Sequence, residues 1–135
     1  RPTLSMTLMV LLGLFPLGRR HSQISICGRN CITVLSPRKF YHVFGTQGAA
    51  HQDDSSGDGY TFLVYSNFVN SEVKKWKPEW GGKTIFYLTK EDYMWVLPKP
   101  NTATYFPGDI FHHAESTTRH FEGFRMSVAW KLKAK

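Results

Sequence analysis

Short apolar or alternating runs follow one another from Lys39 to the end of the chain, with turn residues between them. Runs of this kind favour β-strands, and clusters of Gly, Pro, Asn and Asp favour the turns that separate them. The pattern predicts eight strands, at Phe40–Phe44, Ala49–Asp53, Tyr60–Asn67, Thr84–Leu88, Tyr93–Leu97, Thr102–Phe106, His112–Ser116 and Arg125–Leu132. Strands this short and this regularly spaced are typical of a sandwich or a barrel, so we expect an all-β core.

The first 38 residues do not share this pattern. Residues 6–17 are apolar but too few to span a bilayer as a helix, and a short strand is expected at Cys31–Leu35. The absence of Asp and Glu from residues 1–50 loosely matches a transit peptide, but an ordinary apolar helix fits as well, so no localisation follows. We expect residues 1–38 to form a small, partly helical N-terminal segment, truncated or atypical, and residues 39–135 to form one domain.

The net charge of +7 is unevenly distributed along the chain. Residues 1–50 carry six Lys or Arg and no acid, residues 51–130 carry eight basic and ten acidic residues, and residues 131–135 carry three Lys. A nucleic-acid surface requires basic residues interleaved with aromatics on one face. Because the basic residues flank the body of the chain, we expect them to lie away from any site there, and nucleic-acid binding is disfavoured.

His51 and Asp53 are two residues apart on a predicted strand, so their side chains are expected to share one face. Two His and one carboxylate on one face of a metal leave three coordination positions open, which suits non-haem Fe(II), whereas four ligands close a structural zinc site. The third ligand must come from elsewhere in the sheet. His112 and His113 are the candidates, but adjacent strand residues face opposite ways and periodicity does not decide between them.

Arg125 and Ser127 are also two residues apart on a predicted strand. A planar guanidinium beside a hydroxyl is suited to hold a carboxylate, and Tyr65 could add a phenol to the same group. Taken singly, each of these residues is more often a turn or surface residue. The functional interpretation depends on their occurring together and in this order.

In that order they resemble the Fe(II)/2-oxoglutarate-dependent dioxygenases, and within them the prolyl 4-hydroxylase-like branch. The similarity covers residues 40–132, about two thirds of the chain, and its individual motifs are weak but specific when combined. The matching segments are His51-Gln-Asp53, Tyr60–Asn67, Trp80-Gly-Gly-Lys-Thr84-Ile-Phe-Tyr87, Phe106-Pro-Gly-Asp-Ile-Phe-His112 and Arg125-Met-Ser127-Val-Ala-Trp130.

The resemblance implies a double-stranded β-helix, or jelly-roll, fold. It implies that Fe(II) is bound by three residues, with His112 rather than His113 as the third because the ligand in such sequences comes six residues after the Phe of Phe-x-Gly. It also implies that 2-oxoglutarate is held by one Arg and by hydroxyl groups near it. The implied metal ligands are His51, Asp53 and His112, and the implied co-substrate residues are Arg125, Ser127, Tyr65 and Thr84.

The implied reaction is hydroxylation of a substrate by O2, with conversion of 2-oxoglutarate to succinate and CO2. The substrate is an unidentified peptide or small molecule, and peptidyl proline is the best-known target of the branch. The resemblance further suggests ascorbate as an accessory cofactor. Two alternatives stay open from the residues alone: a non-catalytic jelly-roll binding module, and a cupin-like metal enzyme that does not use 2-oxoglutarate. Oligomeric state also stays open.

Overall fold

The computed structural model describes residues 25–27, 31–34, 38–66 and 75–134. Within these ranges the chain forms nine β-strands and one short 3₁₀ helix. In chain order these are β1 (Ser25–Cys27), β2 (Cys31–Val34), β3 (Arg38–His42), β4 (Gly59–Tyr65), the 3₁₀ helix (Pro78–Trp80), β5 (Thr84–Tyr87), β6 (Tyr93–Val96), β7 (Thr102–Pro107), β8 (Phe111–Ala114) and β9 (Arg125–Ala134).

The strands form two antiparallel sheets. The larger has six strands in the order β1-β2-β9-β4-β7, with β3 also paired to β9, and the smaller has the order β6-β5-β8. β9 is ten residues long, so β2 pairs with its C-terminal end while β3 pairs with its N-terminal half. Two facing antiparallel sheets with almost no helix confirm the predicted all-β, jelly-roll-like core.

The core lies between the inner faces of the two sheets. In β4 the residues alternate between buried and half-buried, so every second side chain points inward. The buried apolar cluster consists of Leu63, Tyr65, Phe86, Phe106, Ile110 and Ala129. The rings of Phe86 and Phe106 meet edge to face with centroids 4.9 Å apart, a favourable arrangement that joins the two sheets.

The same interior also contains an unusually polar set of buried side chains. Most come from β4, β5, β7 and β9, on the inner faces next to the apolar cluster. They include Thr61, Thr84, Thr104, His112, Arg125 and Ser127. Buried polar groups cost free energy unless they are hydrogen-bonded, so these side chains require partners inside the fold.

One predicted strand is wrong. Residues 49–53 do not form a strand, and only His51 forms an isolated bridge, with His112. The reason is that the backbone N–H groups of Asp53 and Asp54 both donate to the carbonyl of Gly108, which bends the chain around the turn between β7 and β8. The other predicted strands of the domain match β3 to β9 within a few residues, although residue 67 lies outside the described ranges.

Several expectations concern residues outside the described ranges. The helical part of the N-terminal segment is among them, whereas the expected strand near Cys31 is found as β2. The domain boundary at residue 39 stays a prediction. Among the described residues, no helix has the length and apolar character to cross a membrane.

Candidate functional site

His51 and His112 are brought together by a pair of backbone hydrogen bonds. The N–H of each residue donates to the carbonyl of the other, at 3.0 Å in both directions. Residues opposed in this way project their side chains to the same side of the sheet. The two imidazole rings consequently lie with centroids 4.6 Å apart.

Asp53 completes a group of three potential metal-binding side chains with these two residues. His51 Nε2 lies 3.4 Å from Asp53 Oδ1, and His112 Nε2 lies 3.5 Å from Asp53 Oδ2. All three ligand atoms are within 4.8 Å of one another. Adjacent ligands of one ion are about 3 Å apart when the metal bonds are about 2.1 Å long, so the group could hold one ion after a small adjustment.

Backbone carbonyls fix the orientation of both imidazoles. His51 Nδ1 is 2.9 Å from the carbonyl of Ala49, and His112 Nδ1 is 2.9 Å from the carbonyl of Ile110. Because a carbonyl only accepts, each Nδ1 carries the proton and each Nε2 presents its lone pair to Asp53. Burial lowers the pKa of His112, which favours the neutral ring that a metal requires.

Asp53 is largely buried, with 7% of its side chain exposed. Its Oδ2 accepts a hydrogen bond from the Thr61 hydroxyl at 2.5 Å and another from the ammonium of Lys131. Burial alone would raise the pKa of Asp53, but the hydrogen bonds from Lys131 and Thr61 and the charge of Lys131 outweigh burial and hold the pKa below its usual value. The carboxylate is therefore ionised at neutral pH, and among the described residues no hydroxyl or ammonium group donates to Oδ1.

Lys131 shares its carboxylate partner with any ion bound at this group. We expect Lys131→Met to tighten Mn(II) binding about tenfold, because an ammonium about 5 Å from a divalent ion contributes roughly 1–2 kcal/mol of repulsion even in water. Calorimetric titration of Mn(II) measures this change. Lys133→Met is the matched control, since Lys133 instead faces Asp58 at 3.5 Å. Weaker binding by the Lys131 variant would mean that its hydrogen bond to Asp53 matters more than its charge.

His113 lies outside the group. Its ring stacks on Tyr87 with centroids 5.7 Å apart, Nδ1 is 3.3 Å from the Tyr87 hydroxyl, and Nε2 is 3.3 Å from the Gln47 side-chain nitrogen. In β8 it is paired with Ile85, whereas His112 is paired with Phe86 on the inner face. The structure therefore places His112, and not His113, beside Asp53.

The Arg125 guanidinium is almost fully buried, at 1% exposure. Its Nε donates to the carbonyl of Gly82 at 2.6 Å and its Nη2 donates to the hydroxyl of Thr84 at 2.8 Å. Nη1 is 3.4 Å from the Ser127 hydroxyl. Tyr65 joins the group because its hydroxyl donates to Thr84 at 2.7 Å and its ring lies 5.6 Å from the guanidinium carbon. The four predicted co-substrate residues thus form one connected network.

No carboxylate of the described residues lies within ion-pairing distance of Arg125. A buried cation without a counter-charge is costly, and burial accordingly lowers the pKa of Arg125. In β5, Thr84 is two residues from Phe86, which is directly opposite His112. Residues two apart on a strand share one face, so Thr84, which accepts from Arg125, projects to the same inner surface as Phe86 beside His112.

The Thr84 hydroxyl accepts from both Arg125 and Tyr65. Thr84→Val leaves two buried donors without an acceptor, so we expect it to lower the free energy of unfolding by about 1–3 kcal/mol. Thr117→Val is the matched control, because that hydroxyl is also buried and has no hydrogen-bond partner among the described residues. Urea denaturation of both variants tests the contrast: equal losses in the two proteins would contradict a structural role for the Thr84 network.

Sequence reasoning missed the cations next to the metal-binding group. A cavity of about 440 Å³ beside Asp53 is lined by Arg38, Lys131 and Lys133, so the expectation that the basic ends lie away from the site is wrong. The antiparallel pairing of β3 and β4 with β9 returns both ends of the domain to the site. The position of Lys131 could have been predicted from its spacing. It is an even number of residues from Arg125 on one strand, so both side chains project to the inward face.

Comparisons with known proteins support the fold but do not assign the chain to a family. No family model matches the sequence, and no curated protein matches it. A prolyl-4-hydroxylase of Pseudomonas putida is similar in structure, with a TM-score of 0.57 and 15% identity over 76% of this chain and 51% of that one. A prolyl hydroxylase of Trichoplax adhaerens, solved with a hypoxia inducible factor oxygen degradation domain peptide, has a TM-score of 0.51 and 16% identity over 77% of this chain and 42% of that one. The chain thus spans about half of the length of these proteins or less.

Proposed function

We propose that this chain is an Fe(II)- and 2-oxoglutarate-dependent dioxygenase that hydroxylates an organic substrate and releases succinate and CO2. The observation that carries the proposal is the convergence of His51, Asp53 and His112 near Arg125, which is buried and has no carboxylate partner among the described residues. A fold shared with two prolyl hydroxylases supports it.

In this proposal His51 Nε2, His112 Nε2 and Asp53 Oδ1 hold the metal. Two nitrogens and one oxygen on a single side suit Fe(II) and leave room for other ligands. When bound, the iron supplies the oxidising chemistry by reacting O2 with 2-oxoglutarate. The chain itself fixes the two imidazole tautomers through Ala49 and Ile110 and holds the second carboxylate oxygen through Thr61. These contacts orient the ligands before the metal arrives.

Arg125 holds the far carboxylate of 2-oxoglutarate in this proposal. Its guanidinium supplies charge and a planar donor edge, while the hydroxyls of Tyr65, Thr84 and Ser127 surround it. Burial excludes water, and the absence of a carboxylate among the described residues leaves the cation available for the co-substrate. The diacid then spans the inner surface from this group to the metal.

Peptidyl proline is the first substrate to test, because both similar structures are prolyl hydroxylases and one of them holds a peptide. Ascorbate enters the proposal only as an additive that sustains turnover. Of the alternatives, a non-catalytic module predicts ligand atoms too far apart to share an ion, and the 3.4 and 3.5 Å separations favour the catalytic interpretation. The other alternative, a metal enzyme that does not use 2-oxoglutarate, is distinguished from the proposed function by whether 2-oxoglutarate is bound and converted to succinate.

Succinate release tests the proposal. We expect the purified chain to convert 2-oxoglutarate to succinate only when Fe(II) and O2 are present, with a panel of prolyl peptides and small acids as substrates. His51→Ala should remove this turnover, since the metal loses one of its three ligands. Succinate formation that is equal in metal-free protein, or unchanged in the variant, would contradict the proposal.

A further inference from the structure

The cavity beside Asp53 has a cationic wall. Arg38, Lys131 and Lys133 line it, together with His51 and the carboxylates of Asp53 and Asp54. Its volume of about 440 Å³ is within the range of small-ligand sites and suits one side chain or one small molecule. The cavity contacts the candidate metal group directly, because His51 and Asp53 belong to both.

The strand register explains why these three cations meet. Arg38 is directly opposite Ala129 across the β3–β9 pair, so the two side chains share the inner face. Lys131 and Lys133 follow Ala129 at steps of two and therefore project to that face as well. Lys39 is the next residue after Arg38 and faces the other way, opposite Val128. The cations thus line the cavity because of a regular alternation and not a chance loop conformation.

The carboxylates near the cavity do not neutralise this wall. Lys133 is 3.5 Å from Asp58, but both side chains are about half exposed, and such pairs contribute little. Arg38 has no ion pair with any carboxylate of the described residues.

Lys131 pairs with the Asp53 carboxylate, which is also a candidate metal ligand. A metal ion bound to Asp53 would weaken the ion pair between that carboxylate and the Lys131 ammonium. Asp54 also lines the cavity, but its Oδ1 accepts from the N–H and the hydroxyl of Ser56. With a divalent ion on Asp53, the three cations therefore outnumber the carboxylates that remain to pair with them.

We infer that the substrate of the proposed reaction is an acid, whose carboxylate binds at Arg38, Lys131 and Lys133 while the group to be oxidised lies next to the metal. This inference rests on the proposed function, since it takes the cavity beside the metal group as the substrate cavity. A small free acid and an acidic side chain of a peptide share the carboxylate that the wall recognises.

Fluorescence anisotropy with two labelled five-residue peptides tests the inference. One peptide carries two Glu side chains around a central proline, and the other carries Gln in their place. With the full chain loaded with Mn(II) and 2-oxoglutarate in the absence of O2, we expect the Glu peptide to bind about tenfold more tightly than the Gln peptide, with a preference that falls as salt is added. Equal binding of the two peptides would overturn the inference.

Charge-reversal variants locate the effect. Arg38→Glu and Lys133→Glu should each remove most of the preference for the Glu peptide over the Gln peptide, because the lost interaction is electrostatic. Lys39→Glu makes the same change in net charge on the opposite face and should leave the preference intact. An Arg38→Glu result indistinguishable from Lys39→Glu would also overturn the inference.

A competition arm separates the two sources of carboxylate. Displacement of the Glu peptide by N-acetylglutamate at similar concentrations assigns the site to a small acid, and displacement by peptides alone assigns it to a peptide. Mn(II) and 2-oxoglutarate affinities are measured on the same samples. If both bind but the Glu and Gln peptides bind alike, the acid inference fails and the proposed function stands. If the Glu peptide is preferred but neither binds, the proposed function fails and the acid site stands.

Discussion

Asp53→Asn weakens Mn(II) binding by at least about 100-fold in our account, because the only charged ligand of the group is lost. The substitution preserves the volume of the side chain and an oxygen for the Thr61 hydroxyl, which donates to Asp53 at 2.5 Å. The variant also loses the ion pair with Lys131, but that ammonium is partly exposed and can be hydrated. The fold should therefore be retained, and the main loss should be in metal affinity. Calorimetric titration of Mn(II) measures it.

His113→Gln is the control for this experiment. The residue is adjacent to His112 in sequence and also buried, but its ring nitrogens face Tyr87 and Gln47. We expect unchanged Mn(II) affinity in this variant. Equal losses in the Asp53 and His113 variants would show that the metal site is elsewhere or that binding is nonspecific.

Arg125→Met should separate ligand binding from stability. We expect 2-oxoglutarate to bind about 100-fold more weakly to the Mn(II)-loaded variant, which corresponds to about 2.7 kcal/mol, because a buried charged hydrogen-bonding partner is lost. Without ligand, the same change removes a buried cation that has no counter-charge among the described residues. The Gly82 carbonyl and the Thr84 hydroxyl also each lose a donor. Because removal of the uncompensated charge opposes that loss, the free energy of unfolding should fall by only about 1–3 kcal/mol.

Arg125→Lys sharpens this prediction. A lysine keeps the positive charge but lacks the planar edge of donors that reaches Gly82, Thr84 and Ser127 at once. We expect it to recover only a small part of the affinity. Full affinity in Arg125→Met, accompanied by a large loss of stability, would instead make Arg125 a structural residue and remove the basis for a dicarboxylate co-substrate.

The strands were predictable from sequence because their polarity alternates with the period of the fold. β4 is the clearest case, with Thr61, Leu63 and Tyr65 buried at every second position. Local alternation also predicted that Arg125 and Ser127 share one face of β9. Both side chains are buried there and are joined by a hydrogen bond. Elements whose side chains obey one local period can be read from the sequence.

The segment around His51 could not be read in this way. The side chains of His51 and Asp53 converge for two reasons. The backbone of His51 pairs with that of His112, and the backbone N–H of Asp53 donates to the carbonyl of Gly108. Both contacts join residues more than fifty positions apart. The expected strand was wrong, although the side chains it was meant to align do lie together. Their proximity is a property of the tertiary fold, and their assignment as metal ligands stays a prediction.

The basic ends of the domain show the same limit. Charge counted along the chain placed Arg38 and Lys131 far from the candidate site, yet β9 pairs with both β3 and β4 and brings them to one cavity. Sequence periodicity assigns a residue to a face of its own strand. It does not predict which strands pair with one another, and this pairing determines which charged side chains come together.

Binding of 2-oxoglutarate to the metal-free and the Mn(II)-loaded chain in the absence of O2 tests the central claim most directly. In the proposed reaction one end of the diacid lies at the metal held by His51, Asp53 and His112, and the other end lies at Arg125. We therefore expect tight binding only when the metal is present, with each of the two ligands tightening the binding of the other by the same factor. Equal 2-oxoglutarate affinity with and without Mn(II) would contradict this claim.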